Sequence, residues 1–222
     1  MRASENPFSV QRIHSLPFQF DGAETLANIQ QRFWDQVARG QRRQVILGHH
    51  GVGKSTLLRE LGDCWQAAGW SVVWLNGADL RLGSIGQRTR KGRIDGTQQV
   101  LLVDSAERIS WWDWVRIWVH FRGTPILRTA HVAGRLPVLY QCRSTYQLFE
   151  QLCRDLLRDR WSGFDAECPR SVRRQLFETH GGDLRQCFFE LFDRMAQGTG
   201  PFGQSTRIMG APGPQVVDVS EA

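Results

Sequence analysis

One short segment constrains the fold of this chain more than any other. Residues 48–55 have the sequence GHHGVGKS, which fits the pattern G-x-x-x-x-G-K-[ST]. The apolar run at 45–47 before it predicts a buried strand, and the sequence at 56–68 predicts a helix after it. A glycine-rich turn between a strand and a helix is the arrangement in which this pattern binds phosphate.

The residue types of this loop suit a nucleoside triphosphate. Glycine lets the backbone turn successive N–H groups toward an anion at the N-terminus of the following helix. We expect the ammonium group of Lys54 between the β- and γ-phosphates and the hydroxyl of Ser55 on Mg²⁺. The residues predicted to contact the nucleotide are Gly48, His50, Gly51, Val52, Gly53, Lys54, Ser55 and Thr56.

The rest of the chain alternates between predicted strands and helices. Apolar runs predict four more strands, at 71–75, 100–103, 126–127 and 138–140, and helical patterns separate most of them. Another helix is predicted before the first strand, after a capping-box sequence at 21–24. The alternation predicts an α/β fold, a three-layer sandwich with a five-stranded, mainly parallel sheet. Ligands of such sheets bind at the carboxyl ends of the strands, where the loop falls.

Asp104 directly follows the apolar strand at 100–103. An acid in this position holds Mg²⁺ through its water shell in enzymes with such a loop, so Ser55 and Asp104 are the predicted metal residues. The alternative is that Asp104 caps the next helix. A triphosphatase also needs a carboxylate that orients the attacking water, and the nearest acid after Asp104 is Glu107, because position 105 is serine.

Composition limits the class of protein. The 222 residues are 41% hydrophobic, yet no apolar run reaches the ~18 residues that a membrane span needs, so we expect a soluble chain. Residues 1–7 lack the apolar segment of a secretory signal. The 5 cysteines are odd in number and never spaced C-x-x-C, which favours reduced thiols in the cytoplasm over disulfides or a zinc site.

Two segments are candidate surfaces for a partner. The net charge is +6, and basic residues cluster in the glycine-rich loop at 81–93, which we interpret as a contact for nucleic acid or an acidic partner or as a solvated insertion. The tryptophan-rich helix at 111–121 is apolar almost all round, with one polar stripe of Asp113, Arg116 and His120. We expect most of this helix in the core, with contact to a partner as the alternative.

Over roughly residues 20–195, the order of elements resembles the AAA+ class of P-loop ATPases, particularly the branch with origin-recognition, transposition-helper and STAND-like signalling ATPases. The motifs that carry the resemblance are the loop at 48–55, the strand ending in Asp104 and the sequence GGDLR at 181–185. The resemblance implies ATP and Mg²⁺ as ligands, and no guanine-reading N-K-x-D sequence occurs. Family members usually place a glutamate directly after the aspartate. Because Ser105 stands there, Glu107 is expected to serve instead, or hydrolysis to be slow or absent.

The resemblance also implies roles outside the loop. Thr129, at the end of the fourth strand, matches a polar sensor residue that reaches toward the γ-phosphate, with His131 as the alternative. Arg185 matches the lid-helix arginine that contacts the γ-phosphate, with a plain turn and a helix cap at Asp183 as the alternative. Arg135 lies where such proteins often present an arginine to a neighbouring subunit. The predicted catalytic residues are Lys54, Asp104, Glu107, Thr129 and Arg185.

The predicted organisation is an N-terminal extension at 1–20, an ATP-binding α/β domain at 21–144, a small C-terminal helical lid at 145–197 and a disordered tail at 198–222. The favoured function is an ATPase or ATP-dependent switch that acts on a protein or nucleic-acid partner, alone or as an oligomer. The alternatives are a non-catalytic nucleotide-sensing adaptor and, less favoured, a P-loop small-molecule kinase.

Overall fold

The structure is a computed structural model, and it describes residues 6–20, 22–78, 98–132 and 134–196. The basic loop predicted at 81–93 and the tail predicted at 198–222 lie outside the described residues.

A five-stranded sheet forms the centre of the described chain. Its strands are β1 (Arg43–Leu47), β2 (Ser71–Asn76), β3 (Gln99–Asp104), β4 (Ile126–Ala130) and β5 (Val138–Gln141). They lie in the order β2-β3-β4-β1-β5, and every neighbouring pair is parallel. The predicted parallel sheet is therefore confirmed, and β1, which leads into the glycine-rich loop at 48–53, lies between β4 and β5.

Helices cover both faces of the sheet. Helices α2 (Leu26–Ala38) and α3 (Lys54–Ala67) pack on one face, and α4 (Trp111–His120) packs on the other. Strand β3 contributes to both cores because alternate side chains of a strand point to opposite faces. Val100 and Leu102 join the core with α2 and α3, whereas Leu101 and Val103 join the core with α4. This confirms the predicted three-layer α/β fold.

Helix α2 begins later than the capping-box sequence at 21–24 predicted. The helix starts at Leu26, and the hydroxyl of Thr25 caps it by accepting a hydrogen bond from the N–H of Asn28. Glu24, the acid of the predicted box, binds Arg32 at 2.6 Å instead. The cap therefore lies at Thr25, because that hydroxyl is the side chain that reaches a free N–H of the first turn.

Helix α4 is less buried than its sequence predicted. Trp114 and Ile117 pack against the sheet, but Trp111, Trp112 and Val119 are 63%, 70% and 74% exposed. The expectation that most of this helix lies in the core is wrong, because a helix on one face of a sheet buries only the side that contacts the sheet. The outer side of α4 therefore exposes large apolar groups among the described residues.

A second core follows the sheet and forms the small C-terminal helical part that the sequence predicted. It consists of α5 (Tyr146–Leu157), α6 (Trp161–Glu167), α7 (Arg170–Thr179) and α8 (Leu184–Ala196), and we call it the lid. Short helix α1 (Val10–His14) lies beside it, and Phe8 is buried in its core against Phe164 and Phe188. No helix in the described part of the chain is both long and apolar enough to cross a bilayer.

Candidate nucleotide-binding site

The loop at 48–53 lies at the carboxyl edge of the sheet, between β1 and α3. Gly51 and Gly53 have φ angles of 68° and 89°, in the left-handed region that glycine adopts without strain. Gly53 also caps α3, so the free N–H groups of the first helical turn open into the loop. This geometry places backbone donors and the positive end of a helix dipole at one point, which suits an anion.

Lys54 is the first residue of α3, and its side chain turns back over the loop. Its Nζ donates hydrogen bonds to the carbonyl oxygens of Gly48, at 2.7 Å, and of His49. Burial lowers the pKa of Lys54, and the nearby acids Glu107 and Asp104 act in the opposite direction. The two carbonyls hold the ammonium group at the mouth of the loop. Phosphate oxygens there would be stronger, charged acceptors for the same donor.

Asp104 brings together groups from three elements. One of its oxygens, Oδ1, accepts hydrogen bonds from the hydroxyl of Ser55, at 3.0 Å, and from the hydroxyl of Thr129, at 2.7 Å. Strands β3 and β4 are paired up to Val103 and Arg128, so Asp104 and Thr129 follow side by side. Oxygen atoms are the ligands that Mg²⁺ prefers, and the pairing of a hydroxyl with a carboxylate fits that ion.

Ser105 has an unusual backbone conformation. Its φ of 53° and ψ of 46° lie in the left-handed region, which is uncommon for a residue other than glycine. Its N–H donates to the hydroxyl of Thr129 and to Oδ1 of Asp104, at 2.9 Å each. The chain then enters a short 3₁₀ turn at Ala106–Arg108, which carries Glu107.

Glu107 reaches the loop through a histidine pair. Its Oε1 lies 3.4 Å from Nε2 of His131, whose ring packs on His50 with ring centroids 3.9 Å apart. The other ring nitrogen, Nδ1, lies 3.1 Å from the carbonyl oxygen of Gly48 and 3.4 Å from Nζ of Lys54. Burial, followed by the charges of Lys54 and His50, lowers the pKa of His131, which keeps the ring neutral at neutral pH. Thr129 and His131, the alternatives from the sequence, both lie at the site.

The lid contacts the loop at the start of α8. The Oδ1 atom of Asp183 accepts a hydrogen bond from the N–H of Gln186 at 3.1 Å and so caps the helix. The same oxygen lies so close to Gly51 that a Cβ on this glycine would be 1.8 Å away. Arg185, two residues after Asp183, lines the same cleft as Lys54. The structure therefore combines the helix cap at Asp183 with an arginine at the site.

A cleft of about 370 Å³ joins these groups. Its polar half contains Asp104, Glu107, Thr129, His131 and Arg185, together with all the residues predicted to contact the nucleotide except Gly48. Gly48 contributes instead through its carbonyl contact with Lys54.

The apolar half of the cleft was missed by the sequence analysis. It is formed by the N-terminal segment and the lid, with Val10, Ile13, Leu16, Leu148, Leu152, Leu184 and Phe188. The N-terminal part shows no periodicity, and the lid residues fit ordinary core positions of helices. The run Leu16-Pro17-Phe18 is a sequence signal that could have indicated a packed segment here.

Comparison with solved structures identifies the fold. RuvB from Thermotoga maritima, a Holliday junction branch migration motor, superimposes with a TM-score of 0.52 at 14% identity, over 79% of this chain and 62% of that one. A variant of the same protein gives 0.53 at 16% identity, over 80% and 63%. The AAA+ P-loop α/β fold that the sequence resembled is thus confirmed as a fold. The sequence matches no protein-family model and no curated protein sequence, and the chain spans about three fifths of these RuvB chains.

Proposed function

We propose that this chain binds ATP with Mg²⁺ in the cleft between the sheet and the lid, and that it acts as an ATP-dependent switch with slow hydrolysis. The observation that carries the proposal is the convergence of Lys54, Ser55 and Asp104 from the sheet side with Arg185 from the lid. A triphosphate between them would contact both regions. Loss of the γ-phosphate would then weaken the link between sheet and lid and change their relative position.

The two halves of the cleft suit the two halves of a nucleotide. The phosphates would lie on the loop amides, and Lys54 would exchange its carbonyl acceptors for phosphate oxygens. Ser55 and, through water, Asp104 would hold Mg²⁺, which supplies positive charge against the phosphates. The base would lie in the apolar half, and adenine is preferred because the sequence lacks the N-K-x-D motif that reads guanine.

The groups around the γ-phosphate position support slow hydrolysis. Glu107 would orient the attacking water and accept its proton, while the new bond forms to phosphorus and the bond to the β-phosphate oxygen breaks. Thr129 and Arg185 would contact the γ-phosphate from the sheet and the lid. The carboxylate of Glu107 stands beside His131 rather than directly after Asp104, so water is oriented less directly than by an acid at position 105.

Ser105 supports a second candidate, a non-catalytic adaptor that senses ATP without cleaving it. Position 105 has no carboxylate, and its N–H is already engaged by Thr129 and Asp104. In that case the nucleotide would link sheet and lid permanently, and a partner would recognise the closed form. The decisive difference between the two candidates is phosphate release.

The test is to measure ATP binding and phosphate release, with Mg²⁺, for the wild type, Lys54→Ala and Glu107→Gln. We expect Lys54→Ala to lose at least about 100-fold in affinity, or about 2.7 kcal/mol, because the charged donor to the phosphates is gone. Glu107→Gln should bind as the wild type does and release no phosphate. Glu178→Gln, the same chemical change at an exposed position of the lid, is the control.

Each result separates the candidates. Binding by Lys54→Ala that equals the wild type would exclude the loop as the phosphate site. Tight binding by the wild type without phosphate release would favour the adaptor. ATP consumption that requires an added small-molecule acceptor would indicate a kinase.

A further inference from the structure

A second cleft lies at the amino edge of the sheet, opposite the nucleotide site. Strands β4, β1 and β5 are neighbours and parallel, so the residues that precede them meet at one edge. The cleft measures about 710 Å³, and its lining includes Arg42, Arg43, Phe121, Thr124, Arg135 and Pro137. It shares no lining residue with the nucleotide cleft.

All the charged side chains among the described residues that line this cleft are positive. Arg42, Arg43 and Arg135 line it and are exposed, and none of its described lining residues carries a carboxylate. The guanidinium group of Arg42 donates to the carbonyl oxygen of Gly123 at 2.8 Å, which fixes one arginine in place. Three guanidinium groups around one concave surface attract a polyanion and match the geometry of phosphate.

An exposed aromatic ring adjoins these charges. Helix α4 runs toward the cleft, and Trp118 lies near its end, with the guanidinium carbon of Arg43 over the ring at 4.9 Å from its centroid. Trp118 remains 37% exposed. Arginines that bind phosphates beside an aromatic ring that stacks on bases are the combination used to bind single-stranded nucleic acid. An acidic protein surface would use the charges alone.

We infer that the cleft at the amino edge binds single-stranded nucleic acid, with Arg42, Arg43 and Arg135 on the phosphates and Trp118 stacked on a base. A paired duplex offers the phosphates but keeps its bases stacked on each other, so it gains nothing from Trp118. Because the two clefts are separate, this binding can be measured in the absence of ATP. The result does not depend on the function proposed for the other cleft.

The experiment measures the fluorescence anisotropy of a labelled oligothymidylate of about 20 nucleotides, a length that covers one or more single-strand sites. The full chain is compared with Arg43→Ala/Arg135→Ala. We expect this variant to lose at least about tenfold in affinity and to lower the slope of log Kd against log salt by about 1 to 2. The double variant Arg12→Ala/Arg160→Ala removes the same charge from exposed positions elsewhere and should bind within about twofold.

The aromatic contribution has its own matched pair. Trp118→Ala should lose about tenfold, the value of one stacked base, and Trp118→Phe should retain most of the affinity because a ring is still present. Trp112→Ala, on the same helix and 70% exposed, should bind as the wild type does. Circular dichroism of each variant checks that the fold is intact.

Four results would overturn the inference. In the first two, the wild type fails to bind the oligonucleotide, or the cleft and control double variants lose equal affinity for it. In the other two, a duplex binds as tightly as the single strand, or Trp118→Ala leaves the affinity unchanged. If Arg135 instead contacts the nucleotide bound by a neighbouring copy of the chain, the variants would give a different pattern of losses. ATP turnover would then fall in Arg43→Ala/Arg135→Ala while oligonucleotide affinity stayed unchanged, which would also overturn it.

Discussion

The sheet and the lid are held together in different ways. Strand β3, which lies between β2 and β4, has four consecutive apolar residues, 100–103, that are fully buried. The lid instead buries an ion pair network in its core. Arg173 is 1% exposed, and its guanidinium group binds Glu150 at 2.7 Å and Asp165 at 2.8 Å while it stacks on Trp161.

This difference leads to different expectations for the stability and mobility of the two regions. Burial of apolar surface is the dominant favourable term in folding and does not depend on exact geometry, so we expect the sheet to be a stable base for the loop at 48–53. A buried ion pair depends on geometry, and removal of one partner leaves an uncompensated charge. We therefore expect the lid to be the less stable region and the one that moves. The predictions below test that contrast, from the largest expected effect to the smallest.

The largest effect is expected from Arg173→Ala. This change leaves Glu150 buried without its main partner, which typically costs about 3–5 kcal/mol of unfolding free energy. Chemical denaturation followed by circular dichroism measures the loss. Arg174→Ala, the adjacent exposed position, which stacks on Tyr146, should cost no more than about 1 kcal/mol. A loss of similar size in both variants would show that the buried network does not stabilise the lid.

Gly51→Ala tests the contact between the two regions. Alanine would be strained by the left-handed φ at this position, and its Cβ would overlap Asp183, so we expect ATP affinity to fall by about 2 kcal/mol, or roughly 30-fold. Removal of the overlap in Gly51→Ala/Asp183→Ala should restore part of it. Gly163→Ala, at a glycine with open space around it, should bind ATP normally. Unchanged affinity in Gly51→Ala would mean that the lid does not contact the loop when ATP binds.

Arg185→Ala separates binding from turnover. If Arg185 contacts the γ-phosphate mainly as charge develops there, phosphate release should fall by about tenfold and the Kd for ATP should change by less than about threefold. Arg194→Ala, later in the same helix, is the control for loss of a lid arginine. Turnover equal to that of the wild type would remove Arg185 from the site.

The smallest effect is expected from acid, which should lower the free energy of unfolding of the lid. Burial raises the pKa of Glu150, but hydrogen bonds from Arg173 and Tyr146 and the charge of Arg173 outweigh it, so the net shift is downward from 4.5. A carboxyl with a lowered folded-state pKa stabilises the fold fully above its unfolded pKa and loses this contribution as pH falls through its folded pKa. Denaturation of the wild type should therefore become easier as pH falls below about 5 and through the lowered folded-state pKa of Glu150, and Glu150→Gln should show a flatter dependence. Equal slopes would exclude Glu150 as the titrating group.

Local patterns predicted the sheet and the loop, but contacts between distant segments could not be predicted. The strand at 100–103 and the loop at 48–55 are encoded in consecutive residues, so each was visible in the sequence. The exposure of one side of α4 could not be predicted, because an apolar pattern does not show whether another part of the protein covers that side. Arg173 was missed for a related reason: a charged residue in a helical pattern is normally exposed, and only tertiary structure brings Glu150 to it.

The candidate site divides in the same way. Lys54, Ser55 and Asp104 belong to motifs with fixed spacing, and their contacts follow from the order of a parallel sheet. The contact between Glu107 and His131 follows the left-handed turn of the backbone at Ser105. No sequence pattern predicted that conformation. The placement of Phe8 in the lid core is likewise tertiary, since the first residues show no periodicity.

The N-terminal segment connects the lid to the sheet side of the molecule and would limit the lid motion proposed above. Asn6 donates to the carbonyl oxygen of Phe192 in α8, while the N–H of Phe18 donates to Glu60 in α3, so the segment is anchored to both regions. Between these anchors lies the five-residue helix α1. Unwinding it from about 1.5 to about 3.4 Å per residue would release roughly 10 Å of length. If the lid moves as proposed, the length of this segment would limit its displacement, and a shorter segment should reduce that displacement.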